Sequence, residues 1–164
     1  MWIERLSDWL FRLEKVLAMI LIGIMFVSLT AGVIFRYYLD RPLLWSDEVA
    51  IFSLIWLTFV GGSMSIKRQQ AAAVSLLTDR LRGRWKKIVF IFGFAVVALF
   101  CLYLLYICYY WLSSPNIQIQ RSSSLQLPLI YVYISVPIGF AFMFIHALSL
   151  FVKSFKQDPD SELN

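Results

Sequence analysis

The residues able to do chemistry are few and scattered along this chain. His146 is its only histidine, and Cys101 and Cys108 are its only cysteines. A membrane haem usually takes two axial side chains, and one histidine supplies only one of them. His146 therefore reads as a packing or interfacial residue. The cysteines stand seven positions apart, about 10 Å along one helix. That is too far for a disulfide, so both read as packing groups. No His/Cys cluster has metal-ligand spacing, and there is no C-x-x-C, no glycine-rich phosphate loop and no nucleophile elbow. What remains is one dense stretch, Arg36-Tyr37-Tyr38-Leu39-Asp40-Arg41-Pro42-Leu43-Leu44-Trp45-Ser46-Asp47-Glu48. Pro42 ends any helix that precedes it. Ser46 is placed to cap the helix that follows, with Asp47 and Glu48 in a first turn that favours negative charge. Trp45 is placed to anchor that turn at a membrane interface. Arg36 is placed within reach of Glu48 across a tight hairpin. The ordinary reading is a cap and a snorkelling arginine; the sharper one is a desolvated pair that fixes how two helices meet.

The elements that must hold these residues are set by hydropathy. The 164 residues are 60% hydrophobic and 17% aromatic with only 15% charged, and the mean hydropathy is +0.74. Soluble domains carry about a quarter charged residues. Here the charges gather into short blocks between four long uncharged runs, Val16–Phe35, Val49–Ile66, Ile88–Leu112 and Leu125–Val152. Each approaches or exceeds the roughly 20 residues that cross a bilayer as a helix. The expected fold is an all-α membrane protein of four transmembrane helices with no ionised side chain inside a span. The second run is the shortest and most polar. Its Gly61-Gly62-Ser63 permits close helix approach, and Trp56 near its middle is large for a lipid-facing position without a packing role. Pro128 suits the first turn of the fourth helix, and Pro137 falls inside it, where it removes a backbone hydrogen bond.

Orientation follows from the cations. Twelve lysines and arginines lie before the first run, between the second and third, and after the fourth; Arg36, Arg41 and Arg121 lie on the other side. The positive-inside rule puts both termini and the middle loop in the cytoplasm, and accounts for the net charge of +5 without nucleic acid. Residues 1–15 read as an amphipathic interfacial helix carrying Trp2, Leu6, Trp9, Leu10 and Leu13. Residues 67–87 read as a second such segment, divided at Gly83, lying either on anionic headgroups or against a partner. Residues 153–164 form a cytoplasmic tail.

Two blocks carry a resemblance to a known family. One is Arg36, then Pro42-Leu43-Leu44-Trp45-Ser46-Asp47-Glu48, Trp56, Phe59-Val60-Gly61-Gly62 and Lys67-Arg68. The other is Leu127-Pro128-Leu129-Ile130-Tyr131-Val132-Tyr133, then Val136-Pro137-Ile138-Gly139 and Met143. In order, spacing and hydropathy the chain resembles the small membrane subunit, the DctQ-like or Q component, of tripartite ATP-independent periplasmic (TRAP) transporters. It departs from the family where a histidine often follows the basic pair, reading Gln69-Gln70-Ala71-Ala72 instead. The resemblance implies a non-catalytic subunit of the bacterial inner membrane with no cofactor of its own. Its partners would be a large sodium-driven membrane subunit (the M component), which would hold the sodium ions, and a periplasmic substrate-binding protein (the P component). Family substrates are organic acids, including C4-dicarboxylates and sialic acids. Arg36, Trp45, Asp47, Glu48, Trp56, Gly61, Gly62, Arg68, Pro128 and Pro137 become the candidate partner-binding residues. A membrane anchor for a redox or quinone complex and a homo-oligomeric channel are the alternatives.

Overall fold

A computed structural model describes residues 2–78 and 84–156. Helix α1 spans Trp2–Tyr37, α2 Leu44–Thr78, α3 Arg84–Leu112, α4 Pro115–Gln118, α5 Ile130–Tyr133 and α6 Ser135–Lys156. Four stretches are long and apolar enough to cross a membrane: Trp2–Tyr37, Leu44–Arg68, Ile91–Leu112 and Ile130–Ser154. Helices α2 and α6 form the middle of the bundle, with α1 packed on α2 and touching α6, and α3 packed on α6.

The amphipathic N-terminal stretch and the first span form one unbroken helix of 36 residues. At 1.5 Å per residue that is about 54 Å, well beyond a hydrocarbon core of roughly 30 Å. Its first turns face the bundle with Ser7, Leu10 and Glu14, whereas Trp2, Leu6, Trp9 and Leu13 are exposed. The helix thus keeps its aromatic side for the membrane interface. Helix α2 likewise continues past the basic pair to Thr78. Apart from Lys67 and Arg68, the side chains of the amphipathic face expected over 67–87, and Gly83 itself, lie outside the described residues.

Helices α1 and α2 turn on residues 38–43. Asp40 takes the left-handed conformation there (φ 51°), which Asp tolerates better than most residues, and the Arg41 N–H donates to the Phe35 carbonyl (3.1 Å). The fourth helical region begins at Ile130 rather than Leu125, because residues 120–129 close on themselves first. Arg121 and Pro128 form an antiparallel bridge, the Ser122 N–H donates to Leu127 O (2.9 Å) and the Leu129 N–H to Gln120 O (3.0 Å). Pro128, expected in the first helical turn, belongs to that bridge; a proline is tolerated at such an edge because it has no N–H to leave unpaired. The helix is then interrupted at Ile134, between α5 and α6. Pro137 lacks the N–H that would reach the Tyr133 carbonyl one turn back, which places the interruption where a proline disturbs a helix.

Close approach is set by glycine. A Cβ on Gly139 of α6 would stand 2.6 Å from Phe59 Cβ of α2, and one on Gly32 of α1 would stand 2.6 Å from Ser46 Oγ of α2. Gly62 faces the flexible end of Met143, while Gly61 and Gly23 face open space. We expect Gly139→Val to force α2 and α6 apart and lower stability by about 1–3 kcal/mol, the usual scale of overpacking. Gly23→Val should cause no loss. Thermal unfolding in detergent, with the two variants side by side, checks the pair.

Candidate functional site

The end of the bundle where α1 begins holds a polar group that sequence reasoning missed. His146 on α6 is fully buried, with its Nδ1 2.7 Å from Ser7 Oγ and its Nε2 3.0 Å from Glu14 Oε2, both on α1. Glu14 is fully buried and Ser7 nearly so. The expectation of a bundle without buried ionisable groups is therefore corrected. Glu14 falls within the segment 1–15 expected to lie at the membrane interface, but α1 runs on unbroken and turns Glu14 inward against α6. A Ser-His-Glu set is also the constellation of a hydrolytic triad. Here the hydroxyl is sealed from solvent and substrate, and the set joins two helices instead. A signal was present in the sequence. Ser7, Leu10 and Glu14 share spacings of three and four, which puts them on one helix face, apart from the exposed tryptophans.

Next to this network, Lys67 of α2 pairs with Asp8 of α1 at 2.6 Å. The Lys67 and Arg68 cations lie over the Phe11 ring, 5.3 and 5.9 Å from its centroid. Arg68, a candidate partner-binding residue, thus lies over an α1 ring, while its neighbour Lys67 is engaged with α1 by an ion pair as well.

At the opposite end of the bundle the two acids divide their work. Arg36 does not form the pair with Glu48 that was the sharper alternative; it meets Asp47, at 3.2 Å between two exposed side chains. Glu48 Oε1 instead accepts the Ser124 N–H (2.7 Å) and Glu48 Oε2 the Leu125 N–H (3.0 Å). Successive backbone N–H groups in a turn form a natural anion cradle, and the carboxylate fills it. The residue nearer the returning loop takes that task, which leaves Asp47 for the arginine. Ser46 is not the cap. Helix α2 starts two residues earlier, and the Ser46 hydroxyl, fully buried, donates to Leu43 O at 2.8 Å while lying against Gly32. Trp45 lines an open apolar groove on α1 with Ile20, Gly23, Ile24, Val27, Ser28 and Ala31.

Between the two ends, Trp56 finds its packing role. Its Nε1–H donates to the Tyr131 carbonyl of α5 (3.2 Å), and one turn along, Phe59 meets Phe140 edge-on, with ring centroids 5.9 Å apart. The structure therefore ties Arg36 to Asp47, Glu48 to the 120–129 loop, and Trp56 and Gly62 to α5 and α6. Gly61 is left facing outward, and Trp45 half-faces it. Cys101 and Cys108 are free thiols buried toward α6.

The sequence family described as tripartite ATP-independent periplasmic transporters, DctQ component, matches residues 25–157. The chain belongs to this family. It is accordingly a transporter subunit rather than an enzyme, and a multi-pass membrane protein. A similar protein, the C4-dicarboxylate TRAP transporter small permease protein DctQ of Vibrio cholerae serotype O1, is 29% identical over 100 residues. That stretch is 61% of this chain and 41% of the relative, so the chain spans less than half of the relative's length. Within the DctQ match lie Arg36, Asp47, Glu48, Ser124, Leu125 and His146, while Ser7 and Glu14 precede it.

Two outcomes follow from these geometries. His146→Leu leaves the Glu14 carboxyl buried without its partner and should destabilise the bundle by about 3–5 kcal/mol, whereas adding Glu14→Leu should recover most of the loss. Melting of the single and double variants in detergent checks this, and a single variant as stable as the parent would contradict it. Glu48→Ala should speed amide hydrogen exchange at Ser124 and Leu125. Arg36→Ala should leave those two amides unchanged, because its partner is Asp47.

Proposed function

We propose that this chain is the non-catalytic small subunit of a sodium-driven, binding-protein-dependent secondary transporter for organic acids, of the C4-dicarboxylate or sialic acid class. It would sit in the bacterial inner membrane with both termini cytoplasmic, as the twelve-to-three distribution of lysine and arginine favours. There it widens the static scaffold of the large membrane subunit, which moves substrate with sodium, and helps to seat the periplasmic binding protein. The observation that carries this reading is how the polar groups are used. Carriers keep ionisable groups in the membrane to bind ions or relay protons. In this chain the buried pair Glu14 and His146 serve each other across two helices, and the outer acids serve Arg36 and a backbone turn. Such a bundle is braced at both ends and resists deformation, which suits a scaffold. The C4-dicarboxylate in the name of the Vibrio cholerae relative supports the substrate class. A redox anchor would need an axial ligand, and His146 has both ring nitrogens engaged.

Liposomes holding the large subunit, with the binding protein outside, test the reading. Uptake should require this chain, and full-rate uptake without it would end the scaffold proposal. In the same assay Glu48→Ala, by loosening the outer loop, should lower binding-protein-dependent uptake without changing which organic acid is preferred.

A further inference from the structure

The Ser7–His146–Glu14 network leaves one of its own oxygens unserved. Glu14 Oε2 meets His146, but Glu14 Oε1 is buried with no hydrogen-bond partner among the described residues. The hydroxyl of Ser63 on α2 is fully buried and in the same condition. Elsewhere on α2, Ser53 and Thr58 donate to the Val49 and Leu54 carbonyls, one turn back on their own helix. Ser63 makes no such bond. Buried polar atoms are nearly always paired, and a carboxyl oxygen and a hydroxyl are complementary groups.

Helix register brings the two together. Phe11 of α1 lies against Lys67 of α2, and Gly32 of α1 lies against Ser46 of α2. The same number of residues separates the members on each helix, so the antiparallel pair does not slip between these contacts. Glu14 is three residues from Phe11, and Ser63 is four from Lys67. They stand within one residue of the same level, about 1.5 Å. Direction agrees with height. At 100° per residue Ser63 lies about 40° from Lys67, which faces α1, and about 40° on the other side from Phe59, which faces α6. Ser63 therefore points into the crevice between α1 and α6. Its neighbour Gly62 meets Met143, one turn before His146.

We propose that Glu14 Oε1 and Ser63 Oγ hold one internal water molecule, which extends the α1–α6 network to α2. The water donates to the carboxyl oxygen and accepts from the Ser63 hydroxyl. Neither oxygen is the other's partner, and water is the smallest group able to serve both. Polar walls are what make a buried site wet, whereas an apolar one stays dry. Two oxygens are too few for a metal ion, and no group of three His, Cys, Asp or Glu gathers among the described residues. The bridge gives α1 and α2 a buried tie besides the partly exposed Asp8–Lys67 pair, which salt screens.

Crystals of the full-length chain grown from lipid, at a resolution that shows ordered water, test the site directly. One water should stand within hydrogen-bonding distance of Glu14 Oε1 and Ser63 Oγ together. A Ser63 hydroxyl bonded to the Phe59 carbonyl, or directly to Glu14, with no water between, would overturn the proposal. A mutant cycle in detergent gives a second reading. Ser63→Ala should lower the folding equilibrium constant of the parent chain about threefold, the average worth of an interhelical hydrogen bond in a membrane. With Glu14→Leu and His146→Leu already in place, the water has no carboxyl to serve, and Ser63→Ala should change nothing. Ser53→Ala, whose hydroxyl bonds within its own helix, should act alike in both backgrounds. No loss from Ser63→Ala in the parent, or an equal loss in both backgrounds, would remove the bridge.

Discussion

A carboxyl and an imidazole sealed inside a membrane bundle have no water to serve them, and Glu14 and His146 meet each other instead, with Ser7 closing the far side of the ring. Much of the architecture depends on that contact. It sets the rotation of α1 about its own axis, because only one orientation brings Ser7 and Glu14 together onto His146. With that orientation set, Trp2, Leu6, Trp9 and Leu13 must point away from the bundle and toward the membrane interface. The same rotation brings Asp8 to Lys67 and Phe11 under the basic pair that ends the second span. Together these contacts tie three of the four long helices at that end.

The opposite end is braced by different means. There the chain must reverse twice, through residues 38–43 and through the longer segment between α3 and α5. Glu48 joins these reversals, reaching from the start of α2 to two consecutive amides of the second one. Between the braces the helices meet through small residues, Gly32 on Ser46 and Gly139 on Phe59, where contact is made by van der Waals packing rather than by charge. Polar contacts at both ends and close packing in the middle hold the helices together along their length, which is what the proposed scaffold role requires.

By itself the sequence determined the solvent, the number of membrane-crossing stretches and the family. These depend on summed properties, hydropathy over twenty residues and motif order, and no single contact can reverse them. Residue pairing was decided by tertiary structure. Arg36 and Glu48 look like partners along the chain because the hairpin between them is short, yet Glu48 is drawn to Ser124 and Leu125, whose approach depends on how the 120–129 segment folds. Pro128 reads as a helix start and proves to be part of that segment, while Pro137 acts where its chemistry says it must. Glu14 and His146 are 132 positions apart. Local pattern placed one on a surface helix and called the other packing, since nothing in either neighbourhood states that α1 and α6 will touch. The buried lock exists only once the helices are assembled, because a polar pair in a membrane is defined by what lies across from it.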